Sequence, residues 1–388
     1  MTAWLSAEDG IPALEIDALL DDPDTRILVC CGSGGVGKTT TAAALAVRAA
    51  ERGRKVCVLT IDPARRLAQS MGLAELDNTP RQVPEVGVAS GGALFAMMLD
   101  MKRTFDEIVE QHADPERAEQ ILANPFYQTL SSSFAGTQEY MAMEKLGQLH
   151  RQSESTAEWD LVIVDTPPSR SALDFLDAPE RLGSFLDGRF IRLLVSPARA
   201  GGRAYMRVLG AGFALVSGAL TKVLGAQLLT DLQTLVAGLD SIFGGFRERA
   251  EQTYALLQAP GTSFVVVAAP ESDALREASY FVERLQAESM PLAGLVLNRV
   301  HTSAALDLSA ERAAGAAEDL TERKEHELTA ALLRLHANTM RTVARERHLL
   351  QRFSGAHPGV AVATAPALAG DVHDVPGLRT VGAALAGQ

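Results

Sequence analysis

The stretch Gly32-Ser33-Gly34-Gly35-Val36-Gly37-Lys38-Thr39 constrains this chain more than any other. It fits G-x-x-x-x-G-K-[ST], a loop whose backbone amides close around phosphate oxygens. Glycine is required there because the loop takes backbone angles that other residues reach only at a cost. Lys38 supplies a point charge for the β- and γ-phosphates, and the Thr39 hydroxyl can ligate Mg²⁺. The flanks agree with the motif. Arg26 to Cys31 reads as a buried strand leading in, and Thr40 to Arg52, rich in Ala and Leu, as a helix leading out with its N-terminus aimed at the anion. A chance glycine loop is the alternative, and the order of strand, motif and helix speaks against it. Candidate phosphate contacts are therefore Gly34, Gly35, Val36, Gly37, Lys38, Thr39 and Thr40.

Further apolar runs follow at Lys55–Ile61, Ala93–Leu99, Leu161–Val164, Phe190–Val195, Ser263–Ala268, Gly294–Leu297 and Gly359–Thr364. They are continuous rather than alternating, and helical stretches separate them. This pattern predicts strands of a parallel sheet covered on both faces. The fold class is thus α/β, a doubly wound, mostly parallel sheet with a P-loop core. Met1 to Asp24 reads as an N-terminal extension, with a short docking helix and a turn, ahead of a core spanning 25–388. Two regions, about 101–150 and 198–258, do not alternate strand with helix. They read as helical insertions able to pack together as a subdomain. Ala310 to Arg352 reads as one solvated outer helix.

Two strand ends carry acids. Leu161-Val162-Ile163-Val164-Asp165 is an apolar strand ending in a carboxylate, the arrangement that sets an acid beside Mg²⁺, directly or through water. Asp62-Pro63 ends the strand expected beside the P-loop helix. A carboxylate there can orient an attacking water, or can simply cap the next helix; position alone leaves both open.

The chain has 36 Lys plus Arg against 48 Asp plus Glu, a net charge of −12. Non-specific nucleic-acid binding is not expected of such a chain. The basic residues are mostly arginine and alanine is abundant, a compositional hint of a GC-rich bacterial genome. Cys30, Cys31 and Cys57 all fall in apolar runs and read as small buried residues rather than a disulfide or metal set. The N-terminus shows no basic region followed by an apolar stretch, so a cytoplasmic protein is expected. Val208 to Leu229 is long enough to cross a bilayer. Lys222, Gln227 and its glycines favour instead a buried helix of the insertion, or part of a groove for an apolar client helix.

The loop also resembles the P-loop K-G-G-x-G-K-T of the dimeric ATPases that include the arsenite-pump ATPase and the tail-anchored-protein targeting ATPase. Thr60-Ile61-Asp62-Pro63-Ala64 resembles that family's switch I, which implies that Asp62 is a catalytic base acting with Lys38. Asp165-Thr166-Pro167-Pro168 onward to Leu176 resembles its switch II, which with Thr39 implies a Mg²⁺ site. Gly136-Thr137-Gln138-Glu139 and Ala269-Pro270-Glu271-Ser272 resemble two further segments. Leu297-Asn298-Arg299-Val300 resembles the adenine-contacting stretch. The resemblance implies nucleotide contacts at Asn298, Pro366 and Ala367, with ATP or ADP and Mg²⁺ as cofactors. It implies a dimeric ATPase that couples turnover to a membrane-related client or transport process, in the cytoplasm and peripherally at the membrane.

The departures from that family are specific. Ser33 stands where the family has a lysine that reaches the partner subunit's nucleotide. Arg170 and Ser171 replace the Gly-His pair of switch II, and Arg65 replaces a histidine in switch I. Ser33 points to a heterodimer with a homologous subunit. A non-hydrolysing regulatory subunit and a peripheral ATPase of an anion extruder are the alternative readings.

Overall fold

The computed structural model describes residues 10–62, 66–125, 127–128, 131, 138–167 and 248–388. Contacts between residues divide the chain into two units. The first comprises 1–98, 150–173 and 256–388; the second comprises 99–149 and 174–255.

In the first unit the apolar runs pair into one eight-stranded sheet of order β3-β4-β2-β5-β1-β6-β7-β8. The strands are β1 (Ile27–Gly32), β2 (Lys55–Thr60), β3 (Arg81–Gln82), β4 (Ala93–Met98), β5 (Leu161–Asp165), β6 (Thr262–Ala268), β7 (Leu292–Val300) and β8 (Val362–Pro366). All neighbours run parallel except β3, which lies antiparallel on the edge against β4. β1 and β5 are buried at every position, as strands covered on both faces must be. The chain leaves β1 toward β2 on one side and later returns to β6 on the other. Their divergence opens a crevice at the carboxyl end of β1, where open α/β sheets bind ligands. The first helices of this unit are α1 (Ile16–Asp21), α2 (Lys38–Glu51) and α3 (Arg66–Ser70).

The second unit contains α4 (Met101–His112), α5 (Pro115–Leu122) and the start of α6 (Gln138–Thr156). Asp100 caps α4 by accepting from Arg103 N at 2.9 Å. Two ion pairs tie this unit internally, Lys145 to Glu107 at 2.9 Å and Arg249 to the buried Glu144 at 2.9 Å. Met141 and Met143 are buried, the core placement that unbranched thioethers suit.

The first unit continues with α7 (Ser272–Ala287), α8 (Ala310–Glu322), α9 (Glu327–Ala356) and α10 (Val375–Leu385). The helix expected from Ala310 to Arg352 is therefore two helices. The break is a Schellman turn: Lys324 N donates to Thr321 O at 3.1 Å and Glu325 N to Leu320 O at 3.0 Å. Lys324 takes the left-handed conformation at φ +54, where glycine is usual. The turn itself, Arg323 to His326, carries no Gly or Pro to announce the stop. Edge strand β3, two residues long, was likewise not expected. The strand expected at Phe190–Val195 and the segment Val208–Leu229 lie outside the described residues. Among the described residues no helix is long and apolar enough to cross a membrane.

Arg54 holds the N-terminal extension to the sheet. Its side chain is almost fully buried. It donates to Asp160 Oδ1 (2.7 Å) and to the carbonyls of Leu20 (3.1 Å), Asp22 (2.9 Å), Thr25 (2.8 Å) and Asp160 (2.7 Å). A planar fork of five donors can serve that many acceptors at once, and an ammonium cannot. Arg54→Ala should therefore lower stability by about 2–4 kcal/mol, because it leaves several buried carbonyls unpaired. Arg54→Lys should recover less than half of that loss. Denaturant midpoints of the three proteins check this, and a wild-type midpoint for Arg54→Ala would show the clamp to be idle.

Candidate functional site: a phosphate cleft at the end of the central strand

The loop after β1 is shaped by two close approaches. Gly32 has φ +149, and a Cβ on it would sit 2.1 Å from Val267 O of β6. Gly37 has φ +96, and a Cβ there would sit 2.2 Å from Asn298 Nδ2. No side chain fits at either place, so the glycines of the motif are demanded by packing as well as by backbone angle.

α2 starts at Lys38, two residues earlier than the sequence suggested, with Gly37 as its N-cap and no side chain capping it. The first amides of a helix lack internal partners, and the helix dipole adds positive potential there. This end opens on a cleft of about 1230 Å³. Gly35, Gly37, Lys38, Thr39, Thr40 and Asp62 line it. Asn298, Arg299, Pro366, Ala367 and the following segment to His373 also line it. Gly34 is exposed on the loop and Val36 is buried beneath it. Val36 contributes its carbonyl, which accepts from Asn298 Nδ2 at 2.8 Å.

Lys38 folds back across the loop and donates to Ser33 O at 2.8 Å. Burial pulls its pKa below 10.5, while the Asp165 carboxylate acts in the opposite direction. The Ser33 residue itself is buried. Asp165 lies fully buried behind Thr39. Its Oδ2 accepts from Thr39 Oγ1 at 2.8 Å and from Thr60 Oγ1 at 2.9 Å. Its Oδ1 is buried with no hydrogen-bond partner. Burial pushes this carboxyl from its ordinary 3.8 up to about 6, against the lowering effect of the Thr39 and Thr60 hydrogen bonds.

These donors fit Mg²⁺. The cation prefers hard oxygens, few of them from protein, and completes its shell with phosphate and water. Thr39 Oγ1 keeps a lone pair toward the cleft while its proton goes to Asp165. The orphaned Oδ1 is the kind of buried acceptor that a cation or its water would satisfy.

Sequence reasoning missed Thr60 as the second hydroxyl on Asp165, although it lies within the quoted switch I stretch. It also missed Arg299 and the wall from Leu368 to His373. Pro63–Arg65 and Pro168–Leu176 lie outside the described residues, as do Gly136 and Thr137. Neither the altered switch residues Arg65, Arg170 and Ser171 nor the helix-capping alternative for Asp62 is reached by the geometry.

A P-loop following the central strand, an uncapped helix N-terminus over it and a buried acid on the neighbouring strand define a nucleotide-binding P-loop ATPase. The family model described as anion-transporting ATPase matches residues 25–322, and the chain belongs to that family. It is similar to the ATPase GET3 of Podospora anserina, 27% identical over 300 residues that cover 77% of this chain and 80% of that protein. The ATPase GET3 of Malassezia globosa is 30% identical over 182 residues, 47% of this chain and 50% of that one. The arsenical pump-driving ATPase of Acidiphilium multivorum is 28% identical over 158 residues, 40% of this chain and 26% of that one. The bacterial origin read from composition is not borne out by these relatives, which come from widely different organisms.

The raised Asp165 pKa has a stability consequence with a definite sign. In the range between 3.8 and about 6 the folded chain holds a proton that the unfolded chain releases. This contribution is fully present below the unfolded value and is lost as pH rises through the folded one. Without nucleotide or Mg²⁺, Asp165→Asn should therefore melt higher than wild type at pH 7.5, by up to about 3 kcal/mol. The two should melt together at about pH 3, below the unfolded value. Calorimetry at the two pH values checks this, and a destabilised Asp165→Asn at pH 7.5 contradicts it.

Proposed function

We propose that this ATPase binds Mg²⁺ with ATP or ADP in the cleft and hydrolyses ATP as one subunit of a heterodimer. The observation that carries the reading is the convergence of three features on one point. These are the uncapped amides of α2, the Lys38 ammonium and the orphaned Asp165 oxygen.

In this reading Gly34, Gly35, Val36, Gly37, Thr39 and Thr40 cradle the phosphates with their backbone or hydroxyl groups. Lys38 leaves the Ser33 carbonyl for the phosphate oxygens, exchanging a neutral acceptor for a charged one. Thr39 and Asp165 hold the metal, Asp165 directly or through water. The metal, when bound, neutralises charge on the phosphate oxygens during bond cleavage. Asp62, two residues beyond β2 and lining the same cleft, orients the attacking water. Asn298, Pro366 and Ala367 meet the adenine. The domain reading goes with this: an extension at 1–24, the ATPase core 25–388, and helical insertions about 101–150 and 198–258. Those insertions would present an apolar surface to a client helix or membrane protein, with the complex cytoplasmic and peripheral at the membrane.

The anion-extruder alternative finds little support in the chain's thiols. A soft oxyanion such as arsenite needs clustered thiolates. Cys30 and Cys31 lie buried in β1 and Cys57 in β2. Burial pushes the Cys31 thiol up to about 12 and the Cys30 thiol well above 9.0.

Lys38→Ala should lose nearly all nucleotide affinity, since it deletes the charge that spans the loop. Asp62→Asn should keep affinity within about threefold and lower single-turnover hydrolysis by about 10²-fold or more, the signature of a group used in the transition state. Calorimetry and quenched single turnovers measure the two effects. Equal affinity for wild type and Lys38→Ala, or unchanged turnover in Asp62→Asn, would remove the respective role.

The heterodimer rests on Ser33, a short, buried, uncharged residue where a trans-acting lysine would project. A charge delivered from a partner to the γ-phosphate is worth roughly 10³–10⁵ in rate. The chain alone should therefore bind nucleotide and turn it over slowly. The complex isolated from native cells should contain a homologous lysine-bearing subunit and turn over faster by about two orders of magnitude or more. Full activity of the purified chain alone, unaltered by that subunit, would refute the heterodimer.

A further inference from the structure

We propose that Arg299 is a nucleobase-stacking residue, with its guanidinium lying over the face of the bound purine and setting the preference for purine over pyrimidine nucleotides. The inference rests on the nucleotide reading of the cleft and adds to it a residue and a basis for base selectivity.

The first observation is the backbone. Arg299 takes φ +63, a left-handed conformation that costs a side-chain-bearing residue about 1–2 kcal/mol. It falls where the pairing of β7 with β8 slips: Asn298 is opposite Ala365 and Val300 opposite Pro366, leaving Arg299 as the extra residue. Bulges of this kind re-aim one side chain and concentrate beside functional sites. Asn298 and Val300 are buried while Arg299 between them is exposed, so the slip turns this one side chain outward into the cleft.

The second observation is how firmly that strain is held. Asn298 Nδ2 donates to Val36 O at 2.8 Å. Val300 O accepts from Ala367 N at 2.9 Å. His301 N donates to the buried Glu346 at 2.8 Å, and its ring Nδ1 meets the same carboxyl group at 2.6 Å. Both sides of Arg299 are pinned, one to the phosphate loop and the other to α9.

The third observation is the side chain. Arg299 Nη1 donates to Gly35 O at 3.1 Å. One edge of the guanidinium is fixed on the loop, and among the described residues its other nitrogens have no protein hydrogen-bond partner. The group is rooted on the β7–β8 side of the cleft with Asn298, Pro366 and Ala367. Lys38, Thr39 and Asp62 mark the phosphate end. Leu368 lines the cleft just beyond Ala367 and is, among the described residues, one of the few large apolar side chains left exposed. A planar cation held by its edge and an exposed leucine suit a flat aromatic ring better than a polyphosphate. Guanidinium stacking strengthens with the π surface covered, which favours a purine.

The experiment uses the full chain with Mg²⁺ and compares ATP, ADP, CTP and inorganic tripolyphosphate by calorimetry. Arg299→Ala should weaken ATP and ADP by the same factor, about 3- to 30-fold. It should leave tripolyphosphate unchanged and narrow the gap between ATP and CTP. Arg299→Gln, which retains a donor for Gly35 O without the cationic plane, should fall close to Arg299→Ala. Arg299→Gly, which relieves the left-handed strain, should melt no lower than wild type while losing the same ATP affinity. Tripolyphosphate weakened as much as ATP would make Arg299 a phosphate-binding cation and overturn the proposal. Wild-type ATP affinity in Arg299→Gln would make it a brace for Gly35 and overturn it equally. Lys38→Ala in parallel separates the two levels: unchanged ATP and tripolyphosphate binding there would mean that the nucleotide reading itself had failed.

Discussion

The buried Asp165 carboxyl group is the point at which sheet and loop are joined. Asp165 lies opposite Cys30 of β1 and Thr60 of β2 in the parallel register. Its Oδ2 accepts hydrogen bonds from both the Thr60 hydroxyl and the Thr39 hydroxyl in the first turn of α2. Three neighbouring strand ends and the phosphate loop thus converge on a single carboxyl group. The arrangement is costly by itself. A fully buried carboxyl with one oxygen unpaired disfavours its own ionised form, which is why its pKa climbs. Active sites commonly store instability in this way and release it when the ligand supplies the missing partner.

The loop is fixed from the opposite side by contact rather than charge. Gly32 passes against the β6 carbonyl and Gly37 against the Asn298 amide, so the curvature of the loop is set by β6 and β7. Asn298 then bonds the loop carbonyl beneath it, and Arg299 the one beside it. The phosphate end of the cleft depends on β1, β2 and β5, the other end on β7 and β8. The P-loop belongs to both, so a nucleotide lying along it would read two halves of one sheet at once. Anchoring at successive positions from Asn298 to His301 means that little conformational freedom is left for a ligand to freeze there, which favours binding.

Much of this was legible in the sequence because the signals are local. Continuous apolar runs announced buried parallel strands, and the motif with its flanks announced strand, loop and helix. An acid ending the Leu161–Val164 run announced a strand-end carboxylate. What escaped is non-local or chemically disguised. Thr60 becomes a partner of Asp165 only through the β2–β5 register. Arg299 is an arginine in a conformation that sequence reserves for glycine, and the slip that turns it outward is a property of two paired strands. Lys324 hides a helix stop in the same manner. β3 is two residues long, too short for any periodicity to appear.

The net charge of −12 sharpens what the cleft must do. A chain this acidic repels a polyanion at long range, so its field contributes nothing to capture. Attraction has to come from groups within a few ångströms: helix amides, the loop backbone and the Lys38 ammonium. Such short contacts in a partly buried cleft are screened little by salt, whereas the long-range repulsion is screened within a Debye length of about 8 Å at physiological ionic strength. Moderate salt therefore weakens the opposing field more than the binding contacts. The geometry explains how they stay effective: Lys38 is buried, the first amides of α2 have no internal partners, and Asp165 is set behind Thr39 rather than in the cleft wall. The Asp165 charge is thereby kept one layer back, where a bound cation would offset it and where it least opposes incoming phosphates.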